Sequence, residues 1–119
     1  MKALLIVSVL GLASLSSAYA GLRRDRAAQS TQTFAGVITD DMCAKDGHET
    51  MRMGPNDAEC TKACVSAHGA EYVLADGKNV YTLSDQKTPE KFAGQRVRVT
   101  GTLNAKTRAI QVQSMSAAK

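Results

Sequence analysis

Residues 95–103 alternate strictly: Val97, Val99, Gly101 and Leu103 share one face, and Arg96, Arg98, Thr100 and Thr102 share the other. Successive side chains of a β-strand point to opposite sides, so this pattern requires a half-buried strand. Residues 108–114 repeat it, with Ile110 and Val112 inward and Gln111 and Gln113 outward. Asn104-Ala105-Lys106-Thr107 supplies the turn between the two. Upstream, residues 71–75 and 79–83 flank Asp76-Gly77-Lys78, and Asp-Gly between such runs is a hairpin signal. Residues 34–39, a short β-branched and aromatic run, read as a further strand. Residues 88–94 have the form of one helical turn, with Pro89 at its start and Gly94 at its end.

The element order is therefore strand, insertion, hairpin, helical turn, hairpin. That is the order of the OB-fold, in which five short strands curl into a partly open barrel. A mainly β fold follows, with one helix between strands 1 and 2 and a helical turn between strands 3 and 4. Curling protects sheet edges that a small core can poorly leave exposed. The core is small: only 4% of the 119 residues are aromatic, and there is no Trp. One domain is expected, and a large enzyme with an internal substrate chamber is excluded.

The insertion, residues 40–70, has different chemistry. Asn56-Asp57-Ala58-Glu59 has the form of a capping box. A helix over residues 57–68 follows, with Gly69 where a C′ glycine belongs.

Residues 1–20 read as an export signal: Lys2 is the charged start, residues 3–15 are apolar, and Ala18-Tyr19-Ala20 is a small-residue cleavage pattern. Cleavage between Ala20 and Gly21 sends the product to the periplasm or the outside. Residues 21–32, with Arg23, Arg24 and Arg26, read as a flexible linker, residues 33–115 as the barrel domain, and residues 116–119 as a frayed tail. Outside the leader no apolar run reaches the ~18 residues of a membrane span. The formal charge of +4 is too mild to argue for nucleic acid as a partner. The partners expected are a metal ion or another exported protein.

Three cysteines in an oxidising compartment are an odd number, so one disulfide leaves a thiol over. Cys60, Cys64 and His68 are spaced four apart and share a helix face. Side chains at that spacing can grip one metal ion. The spacing is poor for a disulfide inside a regular helix, because the β-carbons diverge from the ~3.5–4.5 Å the bond needs. Cys43, Cys60 and Cys64 are thus candidate ligands, with His48, His68 or Met51 completing the set; Met53 lies beside them. Soft sulfur donors select copper(I) or zinc over calcium and magnesium. The alternative is a structural disulfide from Cys43 to Cys60 or Cys64 that staples a metal-free barrel for a ligand or partner protein. A third possibility is a weak thiol redox protein, although Cys-x-x-Cys is absent. The acidic residues Asp40, Asp41, Asp46 and Glu49 read as a solvated loop, since they do not match an EF-hand series.

A weaker candidate is a ligand face on the barrel, with Tyr72 and Tyr81 on strands 2 and 3 and Arg96 and Arg98 nearby. No Gly-x-Ser-x-Gly, phosphate-binding glycine loop or His-Glu-x-x-His is present, so no catalytic constellation stands out.

Residues 36–43 (Gly-Val-Ile-Thr-Asp-Asp-Met-Cys), Cys60-x3-Cys64, Tyr72-x-Leu74 and Val97-x-Val99-Thr100-Gly101 together resemble a group of small exported bacterial proteins of unknown function. The resemblance implies export and a barrel-like fold, and it brings no established activity. Cys60-x3-Cys64-x3-His68 is also similar in spacing to the copper-binding loop of oxidase subunits. It departs from that loop at Glu71, where the loop has Met.

Overall fold

A computed structural model describes residues 30–119, and the expected leader, its cleavage site and residues 21–29 lie outside the described residues. Five strands form a closed barrel: β1 (Thr31–Asp40), β2 (Tyr72–Ala75), β3 (Val80–Leu83), β4 (Arg96–Asn104) and β5 (Ala109–Ala117). Their spatial order is β1-β2-β3-β5-β4, with β4 returning to β1. All neighbours are antiparallel except β3 and β5, which run parallel. The mainly β class, the OB order and the helix between β1 and β2 are as expected.

The barrel is closed where a partly open one was expected. Closure follows from the length of β1. Its first part pairs with β4 from Thr31↔Thr102 to Val37↔Arg96, and its end pairs with β2 from Val37↔Ala75 to Asp40↔Tyr72. A single ten-residue strand therefore seals two edges. Gly36 permits the close approach: a Cβ there would sit 2.6 Å from the carbonyl oxygen of Ala75. On the far side the parallel seam is short, Thr82↔Ala109 and Leu83↔Ile110, and is extended by Ser84 N–H donating to the Ile110 carbonyl at 3.0 Å.

The register of β4 is as its alternation requires. Val97 and Val99 are fully buried and Arg96 and Arg98 exposed. With Ile38, Tyr72, Leu74, Leu83, Ala93 and Ile110 they form the barrel core. In β5 a bulge lies opposite Thr100 and Gly101, so Gly101 faces Val112 while Thr100 faces Ser114. The extra residue, Gln113, resets the alternation and turns Met115 toward the core.

Two boundaries differ from expectation. Residues 116–119 were expected to fray, yet β5 reaches Ala117, and Ala118 N–H donates to the Arg96 carbonyl at 3.0 Å. The edge of β4 offers partners there, and backbone pairing does not depend on side-chain polarity. For the same reason Thr31 and Gln32, expected in the linker, begin β1. The turn between β3 and β4 is a 3-10 turn (Thr88–Phe92), with Pro89 in its first positions and Gly94 at φ 73° after it. Among the described residues no helix is long and apolar enough to cross a membrane.

Candidate metal centre

The site is assembled from the end of β1, the loop after it and helix α1 (Asp57–His68). The Asn56 side chain accepts the Glu59 N–H at 2.9 Å, satisfying one orphan donor of the first turn. At the other end Gly69 adopts a left-handed conformation, φ 68°, and its N–H donates to the Cys64 carbonyl. Between these caps Cys60, Thr61 and Cys64 are the buried residues. Ala58 and Val65 pack against the barrel core, so the helix is pinned to the barrel.

β1 delivers the second group. Ile38 points inward, and two residues on so does Asp40, which is fully buried. The chain then turns, and Asp40 Oδ1 accepts the Cys43 N–H at 2.9 Å, which swings Cys43 back toward the helix. Cys43 accepts in turn from Gly47 N–H at 2.9 Å, through its carbonyl. That tight turn returns His48 to β1, where its Nε2 lies 3.1 Å from Thr39 Oγ1. The other ring nitrogen, Nδ1, is buried and has no hydrogen-bond partner among the described residues. With Nε2–H donating to Thr39 Oγ1, Nδ1 would keep its lone pair free for a metal ion.

Cys43, Cys60, Cys64 and Ala70 form a second buried cluster, separate from the barrel core. Potential ligand atoms of Cys43, His48 and Cys60 all lie within 4.8 Å of one another, and so do those of Asp40, Cys43 and Cys64. The two sets share the Cys43 sulfur. This Cys/His cluster could hold a metal ion. Cys60 Sγ also ties down the loop, donating to the Met51 carbonyl and accepting the Met53 N–H, both at 3.3 Å.

The electrostatics of the pocket disfavour thiolates. Burial, then the neighbouring Asp40 carboxylate and Cys64, push the Cys43 thiol up to about 12. Burial first and Asp40 second raise the Cys64 thiol as well. Both are therefore neutral near pH 7 in the metal-free protein, and poor nucleophiles for disulfide exchange. A bound cation reverses this balance and takes the thiolate.

The structure thus brings together four expected ligands, Cys43, His48, Cys60 and Cys64, and separates the others. His68 is exposed in the last helical turn, outside both sets. One further turn carries the chain past the loop that covers Cys60 and Cys64. The Met51 side chain is exposed, as is that of Met53, and only their backbone groups reach Cys60. All three cysteines are free, so the alternative disulfide from Cys43 to Cys64 is not formed. Asp40, expected in a solvated acidic loop, is instead inside. Its inward position was signalled by the two-residue step from Ile38. The ligand face on the barrel is also corrected. Tyr72 belongs to the core, with its backbone held by Gln86 at 2.8 and 2.9 Å. Tyr81 is half-buried against Phe34, ring centroids 5.4 Å apart, so no pair of stacking tyrosines accompanies the exposed Arg96 and Arg98.

Residues 65–118 match a family described as protein of unknown function (DUF5818). The matched segment begins one residue after Cys64 and takes in β2 to β5. It contains four of the five barrel strands, while β1 and the residues Asp40, Cys43, His48, Cys60 and Cys64 all precede it. No curated protein matches the chain, and no solved structure does.

Proposed function

We propose that this protein is a small exported binding module for a soft metal ion, copper(I) or zinc, held by Cys43, Cys60, Cys64 and His48. The observation that carries the reading is a pair of overlapping donor sets, Cys43/His48/Cys60 and Asp40/Cys43/Cys64, that share the Cys43 sulfur and draw on three buried, free thiols. Sulfur donors favour copper(I) and zinc over harder cations. Zinc bound at Zn–S distances of ~2.3 Å would hold tetrahedral sulfurs roughly 3.8 Å apart. Ligand atoms already within 4.8 Å in each set need small shifts to reach that. Each coordinating thiol gives up its proton on binding. Burial supports the reading in an oxidising compartment, because raised thiols exchange slowly with disulfides.

Titration of the purified chain with zinc, and with copper(I) under anaerobic reducing conditions, tests it. About one ion per chain is expected. The double variant Cys60→Ser, Cys64→Ser should lose at least about 100-fold in affinity, since two of four ligands are gone. Equal binding by parent and variant would place the metal elsewhere. The export half rests on Ala18-Tyr19-Ala20 after the apolar run. Intact-mass measurement of envelope-localised protein should find Gly21 at the N-terminus, and a retained Met1 would sink that half.

A further inference from the structure

We propose that Asp40 is itself a metal ligand, and that its carboxylate commits the cluster to a divalent ion of zinc type rather than to copper(I). The inference rests on the metal-binding reading of the cluster and goes on to say which ion it takes.

Asp40 is an unusual carboxylate. It is fully buried, at 0% exposure. A carboxylate can accept about four hydrogen bonds, yet here Oδ1 accepts one, from Cys43 N–H, and Oδ2 has no partner among the described residues. No cation answers it either: the ion pair found among the described residues joins Arg52 and Asp57 at 3.5 Å, both on the surface. Buried charges are ordinarily paired with another charge or bound to a metal. The nearest potential partners are instead two sulfurs, since a carboxylate oxygen of Asp40 lies within 4.8 Å of Cys43 and Cys64. Stabilising the turn through Oδ1 explains one oxygen of the group. It leaves the second oxygen beside neutral thiols, which are weak donors and no counter-charge.

A divalent ion between the two halves of the cluster answers both problems, because it neutralises the carboxylate and takes the thiolates. Zinc accepts carboxylate oxygen at about 2.0–2.2 Å alongside sulfur. Copper(I) is a softer ion, served by thiolate and thioether donors, and gains little from a hard carboxylate. The exposed Met51 and Met53 side chains fit this choice, as thioether donors are turned outward while the oxygen donor is turned in. Five candidate donors then surround a four-coordinate ion, and Asp40, in the set with Cys43 and Cys64, sets the preference between the two ions.

The test compares the full chain with Asp40→Asn, which keeps the shape and removes the charge. Affinities are measured for zinc by competition with a chromophoric chelator, and for copper(I) anaerobically. Asp40→Asn should weaken zinc at least about 10-fold while changing copper(I) by less than about 3-fold. Unchanged zinc affinity, or equal losses for both ions, would overturn the role of Asp40. Carbon-detected magnetic resonance of the parent guards against a variant that fails to fold. Adding zinc should move the side-chain carboxylate resonance of Asp40, and a resonance that stays put overturns ligation whatever the variant does. A parent chain that binds neither ion removes the metal reading altogether, an outcome distinct from a parent that binds zinc without Asp40.

Discussion

At the scale of single residues, two aspartates show how the surroundings decide what a carboxylate does. Asp85 stands at the start of the turn before β4. Its Oδ1 accepts the N–H groups of Lys87 at 2.9 Å and Thr88 at 3.0 Å. The Thr88 side chain and these backbone donors hold its carboxyl below the ordinary 3.8. A depressed folded value contributes stability above the unfolded one and loses it as pH falls through the folded one. Asp85→Ala should therefore cost about 1 kcal/mol near neutral pH, with parent and variant converging as pH falls through the folded value. Melting temperatures across pH 2–7 check this, and parallel profiles would be the contrary result. Asp40 follows different rules because its donors are few and its neighbours are thiols. The step of two from Ile38 made its inward position legible. What that step could not convey was that covering elements would close over it.

Among the elements, α1 was the most legible. Asn56 and Gly69 mark its ends through local chemistry, and the observed Asp57–His68 span agrees. Its weak apolar patterning is also explained, since the residues it buries are Cys60, Thr61 and Cys64 rather than leucines. Asn56→Ala should destabilise the fold by about 1 kcal/mol, the usual loss for an N-cap side chain. Because Cys60 lies in the turn that Asn56 caps, zinc affinity should fall with it, by several-fold. Denaturant unfolding of the metal-free protein measures the first effect, and an unmoved midpoint would show that the cap is dispensable. Strand β5 was less legible. The interval from Val112 to Met115 breaks the period of two, and only the pairing with Thr100 and Gly101 reveals a bulge rather than the end of the strand.

For the molecule as a whole, scaffold and candidate site occupy different parts of the chain. The barrel core is supplied largely by β2 to β5, the stretch shared with the family of unknown function. The candidate ligands come from the end of β1, the following loop and α1 up to Cys64. Such a division lets one barrel carry different chemistries on its first connection, since function lives in the site and the fold positions it. Closure matters to this arrangement. Because β1 is paired along both edges, its end cannot move without disturbing the barrel, and Asp40 and Cys43 are presented from a fixed base.

Periodicity, turn residues and helix caps act over a few neighbouring positions. For that reason the strands, the 76–78 turn, the α1 boundaries and the OB order could be read directly along the chain. The full extent of β1 and β5 could not, because polar segments such as residues 31–33 become strand only when a partner edge offers hydrogen bonds. Nor could the membership of the cluster. Cysteine spacing showed that Cys60 and Cys64 share a face, but His68 shares the same spacing and is left in solvent. Burial of a polar side chain depends on which distant segment covers it, and here α1 packs over Asp40 and Cys43. Tertiary packing alone selected Asp40 and His48, left out Met51 and His68, and kept three thiols free.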